Sequence, residues 1–270
     1  MSHFSLRRAS AIVLRQFYLM RESLSRIMPL FVWVGVDIIL WGFITKYLNT
    51  ITSSGGRFVP TLLGAVLFWD FQTRVMQGIT TAFFEDVWSR NFLNFFATPL
   101  TVGEYIAGLV MTTIATSGVG LFVMWVLATA LFGFSVFAYG ALIIPFLFVL
   151  FLSGIALGIF GSAVVLRLGP AAEWFIWPIP ALISPFVGVF YPLSTLPVWM
   201  QKIARALPPS YVFEGMRATI DHHAVDQGAL WLGAALALIY IVLACLFFAR
   251  TYRQALRSGL IARYSAESVS

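Results

Sequence analysis

Asp37, Asp70 and Arg74 interrupt apolar runs of the chain. A charge at the centre of a bilayer costs roughly 2.5 to 3.5 kcal/mol, so each of these side chains must face protein or water. Asp70 and Arg74 are four residues apart, one turn on a helix, and read best as a structural ion pair. Asp37 has no local partner; it is left with Arg74 across helices, a proton, or a permeation path. A second group lies in FFEDVWSRNFLNFFATPLTVGEY, residues 83–105, where Glu85, Asp86, Arg90, Asn91, Asn94 and Glu104 stand among phenylalanines. Glu214 and Arg217 form a third group, spaced to pair locally, and His222, His223 and Asp226 a fourth.

Several chemistries are excluded by what these groups lack. A serine protease acting inside the membrane needs a serine and a histidine facing each other there, and His3, His222 and His223 all lie outside the apolar runs. Asp221-His222-His223-Ala224 resembles the start of an acyl-transfer motif but carries alanine where the thiolate is required. His222, His223 and Asp226 lack clustered third and fourth ligands, so no metal is expected. Cys245 is the single cysteine and reads as a small buried hydrophobe. No G-x-x-x-x-G-K-[ST] phosphate cradle occurs, so no catalytic residue and no cofactor are expected in this chain. Basic side chains outnumber acidic ones 17 to 11, but the arginines gather beside apolar spans, which points to membrane orientation and not to nucleic acid.

The elements that must position these groups follow from composition. With 60% hydrophobic and 10% charged residues, the chain reads as an all-α polytopic membrane protein. About 20 apolar residues cross a bilayer core. Six spans are expected, near residues 28–48, 59–82, 105–132, 138–166, 171–191 and 229–249, within one transmembrane domain over 28–270. Pro145 and several glycines fall in the fourth, and small residues fill the third. Arg7, Arg8, Arg15, Arg21, Arg26, Arg90, Arg167, Arg250, Arg253, Arg257 and Arg263 would lie on one side, against Lys46, Arg57, Lys202, Arg205 and Arg217 on the other. This bias places both termini, including a tail over 250–270, in the cytoplasm. The first 26 residues carry five arginines and no compact apolar core, so no cleaved leader is expected.

Residues 1–27 form a different element. Leu6, Val13, Phe17, Met20, Leu24 and Ile27 fall on one helical stripe opposite Arg8, Arg15, Glu22 and Arg26. Such a helix lies along the membrane surface or anchors the first span. The loop over 83–104 is expected on the same side. Glu85 to Phe96, free of Gly and Pro, can form a short helix stopped by Thr98-Pro99, and Thr101-Val-Gly-Glu104 reads as a capping box. Its apolar ridge and charged rim suit docking to another protein or to head groups. Residues 192–228 are too few for a domain. Pro197 suits a helix start, Pro208-Pro209 a stop, and Ser210 a second cap, which together describe a re-entrant hairpin.

Two of these stretches carry a family resemblance. FFEDVWSRNFLNFFATPLTVGEYIAG resembles the first cytoplasmic loop of ABC-2 type permeases, and FYPLSTLPVWMQKIARALPPSYVFEGMR, residues 190–217, resembles the segment before their last span. The resemblance implies a coupling helix formed with Glu85, Asp86, Arg90, Asn91, Phe92 and Phe95, seated in a separate ATPase subunit that binds ATP and Mg. It implies a second permease copy as a homodimer, lipid neighbours, and a place in the plasma membrane. It also implies a hairpin closing the outer end of the path, where Phe186, Phe190, Tyr191, Trp199, Glu214 and Arg217 stand. The expected function is export of an amphipathic, glycan or lipid-type cargo. A gradient-driven carrier or channel, using Asp37, Asp70 and Arg74 as a relay, is the alternative, and a membrane scaffold a third reading.

Overall fold

In the computed structural model, residues 4–22, 24–52, 59–88 and 98–258 are described, and every regular element among them is helical. In chain order the α-helices are α1 (Leu6–Glu22), α2 (Leu24–Thr52), α3 (Gly64–Trp88), α4 (Val102–Phe132), α5 (Ile143–Leu168), α6 (Glu173–Ile176), α7 (Ile179–Val187), α8 (Val198–Ala204), α9 (Pro208–Ile220) and α10 (Gln227–Arg257). Short tighter or wider turns precede α3, α5 and α6, at Val59–Leu63, Val136–Leu142 and Pro170–Ala172.

Three helical stretches among the described residues are long and apolar enough to cross a membrane: Val102–Phe132, Val136–Leu168 and Gln227–Arg257. The second of them is the central post. Of its most apolar window 56% is buried, against 22% and 28% for the other two, because α3, α9 and α10 all pack on α5. Close approach of α3 has a sequence cause. A Cβ on Gly154 would stand 2.7 Å from Val75 Cβ, and one on Gly158 would stand 2.9 Å from Ile79 Cβ. Two glycines one turn apart therefore open a groove in α5 for the α3 side chains, the small-residue device of helices packed in lipid.

Pro145 falls in the first turn of α5, where a missing N–H leaves no helical bond unmade. The stretch expected to be a single fifth span is broken instead. It is divided into Pro170–Ala172, α6 and α7, with a turn at Trp177-Pro178, because Pro178 and Pro180 remove backbone donors in succession. The helix expected to end near Ala82 continues as α3 through Glu85 and Asp86 to Trp88, since nothing in that stretch breaks it.

The hairpin segment contains two helices as expected, but its prolines act differently. Pro208 and Pro209 occupy the first turn of α9, and Leu207, not Ser210, is the capping residue. Ser210 instead donates through Oγ to Ala204 O and Leu207 O, both at 2.7 Å. Tyr211 OH donates to Arg205 O at 2.6 Å and Tyr240 OH to Ala206 O at 2.7 Å. Three hydroxyls thus serve the four consecutive carbonyls at the bend between α8 and α9, the one of Ser210 shared between two of them.

Candidate functional site: the clamped elbow

Helix α1 packs on the start of α4 and reaches the end of α3, the two ends of the elbow that joins these helices. Its packed face is Ala9, Ile12 and Gln16, while Leu6 and Phe17 of the apolar stripe are exposed. Gly108 makes the contact possible: a Cβ there would stand 2.6 Å from Ile12 Cβ and 2.8 Å from Ala9 O.

Two carboxylates at the elbow have no solvent exposure at all, and both meet arginines of α1. Glu104 accepts from Arg8 Nε at 2.8 Å and Nη2 at 2.6 Å, a bidentate pair, and from the Ser5 amide at 2.6 Å. It also closes the capping box of α4: Thr101 N donates to its Oε2 at 2.9 Å, and its own amide donates to Thr101 Oγ1 at 3.3 Å. Arg8 above all, with the Thr101 and Ser5 donors, holds the Glu104 carboxyl down at about 2 against the ordinary 4.5, although burial acts in the opposite direction. Glu104 occupies the capping turn at the elbow, ahead of the apolar run of α4.

Asp86, in the last turn of α3, pairs with Arg15 Nη2 at 2.7 Å and accepts from Tyr105 OH at 2.7 Å. One arginine of α1 therefore holds the exit of α3 and another holds the entry of α4. Arg8 and Arg15 are seven residues apart, two helical turns, which puts both on the face turned to the elbow. Buried carboxylates are stable only when paired in this way. Asp86 is turned into the protein and not toward an outer rim. Glu85 beside it is half-buried, and Arg90, Asn91, Phe92 and Phe95 lie outside the described residues.

The other polar groups lie elsewhere. Arg74 Nε donates to Asp70 Oδ2 at 3.0 Å, and Asp37 of α2 is within electrostatic reach of both. The three form one cluster between α2 and α3, with Gly120 of α4 leaving room for the Arg74 stem. At the end of the molecule away from the elbow, Phe190 stacks on Trp41 with ring centres 4.7 Å apart, and Phe186 meets Trp199 edge-on at 6.2 Å. Tyr191 OH donates to Pro185 O at 2.7 Å. Glu214 receives Arg217 Nη2 at 2.6 Å and the Leu193 amide at 3.0 Å, and Arg217 Nη1 donates to Gly188 O at 2.8 Å. Gly188 ends α7 with φ of 65°, the left-handed conformation glycine adopts freely, and Arg217 fixes that turn. Glu214 and Arg217 are the brace of the loop between α7 and α8. His222 and His223 are exposed, and among the described residues no group of three or more His, Cys, Asp or Glu side chains stands together.

The family model of the ABC-2 type transporter matches residues 10–220, which takes in most of α1, then α2 to α9 with the elbow and the brace. The chain belongs to the ABC-2 type transporter family. No curated protein matches it closely enough to narrow that assignment. As an ABC-2 permease it is the membrane component of a transporter, a component that normally works with an ATPase partner and is not itself catalytic. The match begins at Ser10, inside α1, so it takes in Arg15, Asp86 and Glu104 of the clamp, while Ser5, Arg8 and Ala9 precede it. Sequence reasoning singled out Asp86 and Glu104 but missed Arg15 and Tyr105 as the partners of the first and Arg8 as the partner of the second. The seven-residue spacing of the two arginines was the available signal.

Proposed function

We propose that this ABC-2 permease is the transmembrane subunit of an ATP-driven exporter, and that the clamped elbow is its receiver for motion from a separate ATPase subunit. The chain crosses the plasma membrane six times with both termini in the cytoplasm, α1 lies along the inner surface, and residues 192–228 form a re-entrant hairpin. Two copies enclose the path for an amphipathic, glycan or lipid-type cargo. The ATPase subunit, which binds the ATP and Mg, docks on the elbow through Glu85, Arg90, Asn91, Phe92 and Phe95.

The observation that carries this reading is the pair of unexposed carboxylates, Asp86 and Glu104, each gripped by an arginine of α1. A loop that only joined two spans would not need both of its roots buried and ionically fixed. A loop that must pass a push to both spans does, because a compliant root would absorb the displacement. A re-entrant hairpin is supported by the contact of its bend with Tyr240, thirteen residues into α10 and so about 20 Å along that helix from Gln227. The brace formed by Glu214 and Arg217 supports a hairpin that moves as a unit at the outer end of the path.

Copurification tests this function. The permease is expected to carry an ATPase subunit through purification, and Arg90→Glu or Phe92→Ala is expected to lose it while the chain keeps its thermal stability. Retention of the ATPase by both variants at the level of the natural chain would contradict docking at the elbow.

A further inference from the structure

The last turns of α10 carry Arg250, Arg253 and Arg257, all exposed. At 100° per residue they fall within about 60° of one another, on the side of the helix opposite its buried Phe248, Thr251 and Ala255. With Gln254 and Ser258 they line an open groove of about 490 Å³, and no carboxylate belongs to that lining among the described residues. None of the three guanidiniums is ion-paired among the described residues. The run over residues 229–249 ahead of them holds no charge and is about 30 Å long at 1.5 Å per residue, the thickness of a bilayer core. Arg250 therefore stands where the hydrocarbon ends, and Arg253 and Arg257 lie about 5 and 10 Å farther along, at the level of lipid phosphates. Phe248 meets Phe83 edge-on at 5.7 Å, three residues before Asp86, so the groove opens at the elbow end of the molecule.

Local causes do not account for this face. A helix C-terminus attracts cations, but the attraction fades within the last turn, so it covers Arg257 and not Arg250 or Arg253. Orientation in the membrane asks for positive charge on one side, not on one face of one helix. Like charges three and four residues apart on a helix repel, and an anion between them reverses that cost. We propose that the arginine face of α10 binds the head group of an anionic phospholipid that carries two phosphates, diphosphatidylglycerol being the simplest. Guanidinium forks take phosphate oxygens in pairs, and basic pockets at the ends of membrane helices hold such head groups. Two helical turns of guanidinium-lined surface, about 10 Å, are wider than one phosphate and match two. A zwitterionic head group would bring a further cation to a face that already holds three. The site requires that α10 cross the membrane and does not depend on the docking of an ATPase, so its test uses the permease alone.

The test is native mass spectrometry of the purified, delipidated full-length permease titrated with diphosphatidylglycerol, phosphatidylglycerol and phosphatidylethanolamine of the same acyl chains. Diphosphatidylglycerol is expected to bind at least tenfold tighter than phosphatidylglycerol, and phosphatidylethanolamine more weakly than either. The triple variant Arg250→Gln, Arg253→Gln, Arg257→Gln should lower diphosphatidylglycerol binding to within about twofold of the phosphatidylglycerol level. It should melt without lipid at the temperature of the natural chain, because it removes exposed side chains that pair with nothing, and the lipid should raise the melting temperature of the natural chain only. A control triple variant, Arg7→Gln, Arg21→Gln, Arg205→Gln, removes the same charge from exposed positions elsewhere and should keep the preference. Inorganic diphosphate at the concentration of the lipid should not displace it. Equal binding of the two anionic lipids, a preference that survives the α10 triple variant, or an equal loss in the control would show general attraction to a basic protein and overturn the proposal. Displacement by inorganic diphosphate would overturn the lipid as the source of the phosphates.

Discussion

Arg8 and Arg15 act on carboxylates that cannot be seen from solvent, and the two pairs make different predictions. Arg15→Met leaves Asp86 buried with Tyr105 but without its cation. This should cost about 3 kcal/mol, the low end for a broken buried pair because Arg15 is a quarter exposed. Thermal unfolding of the detergent-solubilised chain checks it, with Arg21→Met as the control, since Arg21 is exposed on the same helix and should change stability by less than about 0.5 kcal/mol. For Glu104 the folded value of about 2 lies below the ordinary 4.5. Its contribution is therefore complete above pH 4.5 and is lost as pH falls through about 2. Hydrogen exchange of α1 should show it docked at pH 4 in the natural chain, and released there in Arg8→Ala, whose Glu104 loses the main cause of its depressed value. At this scale the sequence is legible only where partners are neighbours. The Thr101 to Glu104 box was readable because three residues separate its members; Arg8 lies 96 residues from Glu104, and no local spacing connects them.

Each helix of the central group is held by a device of its own, and two can be tested singly. Gly158→Leu forces a side chain against Ile79 and the Met76 carbonyl, which should cost about 1 to 3 kcal/mol by overpacking and push α3 away from α5. Loss of melting temperature measures it, and Gly118→Leu, where a Cβ meets nothing within 4 Å, should be tolerated. At the hairpin, Ser210→Ala removes a hydroxyl shared by two carbonyls that keep their backbone partners, and should cost about 0.5 to 1.5 kcal/mol, with faster hydrogen exchange confined to the bend at residues 204–209. The apolar run lengths and the proline positions made most elements legible. What they hid was the division of the fifth stretch at Trp177-Pro178 and the exchange of roles between Ser210 and Leu207. Both depend on where a chain already bent by proline finds hydrogen-bond partners, and Tyr240 supplies one from α10.

On the scale of the whole molecule, the elbow, the Asp37, Asp70 and Arg74 cluster and the brace succeed one another along the long helices. At the elbow α1 ties the end of α3 to the start of α4, so that under the proposed function a push there would reach two helices at once. Gly108→Val should dislodge α1 by collision with Ile12 and the Ala9 carbonyl, and should lower cargo-stimulated ATP hydrolysis without removing the ATPase subunit from the complex. Membership of the ABC-2 family was legible from the elbow and the hairpin stretches, but the clamp that makes the elbow stiff was not, since its arginines come from a helix that composition alone assigns to the membrane surface. The most direct measurement of the central claim is site-directed cross-linking in native membranes, with single cysteines at Asn91 and Phe92 after Cys245→Ser, combined with cargo export by the same variants. The account predicts a cross-link from each to an ATPase subunit and a block of export once the link forms. Cysteines at both positions that join no other subunit, or that are cross-linked while export continues undiminished, would contradict it.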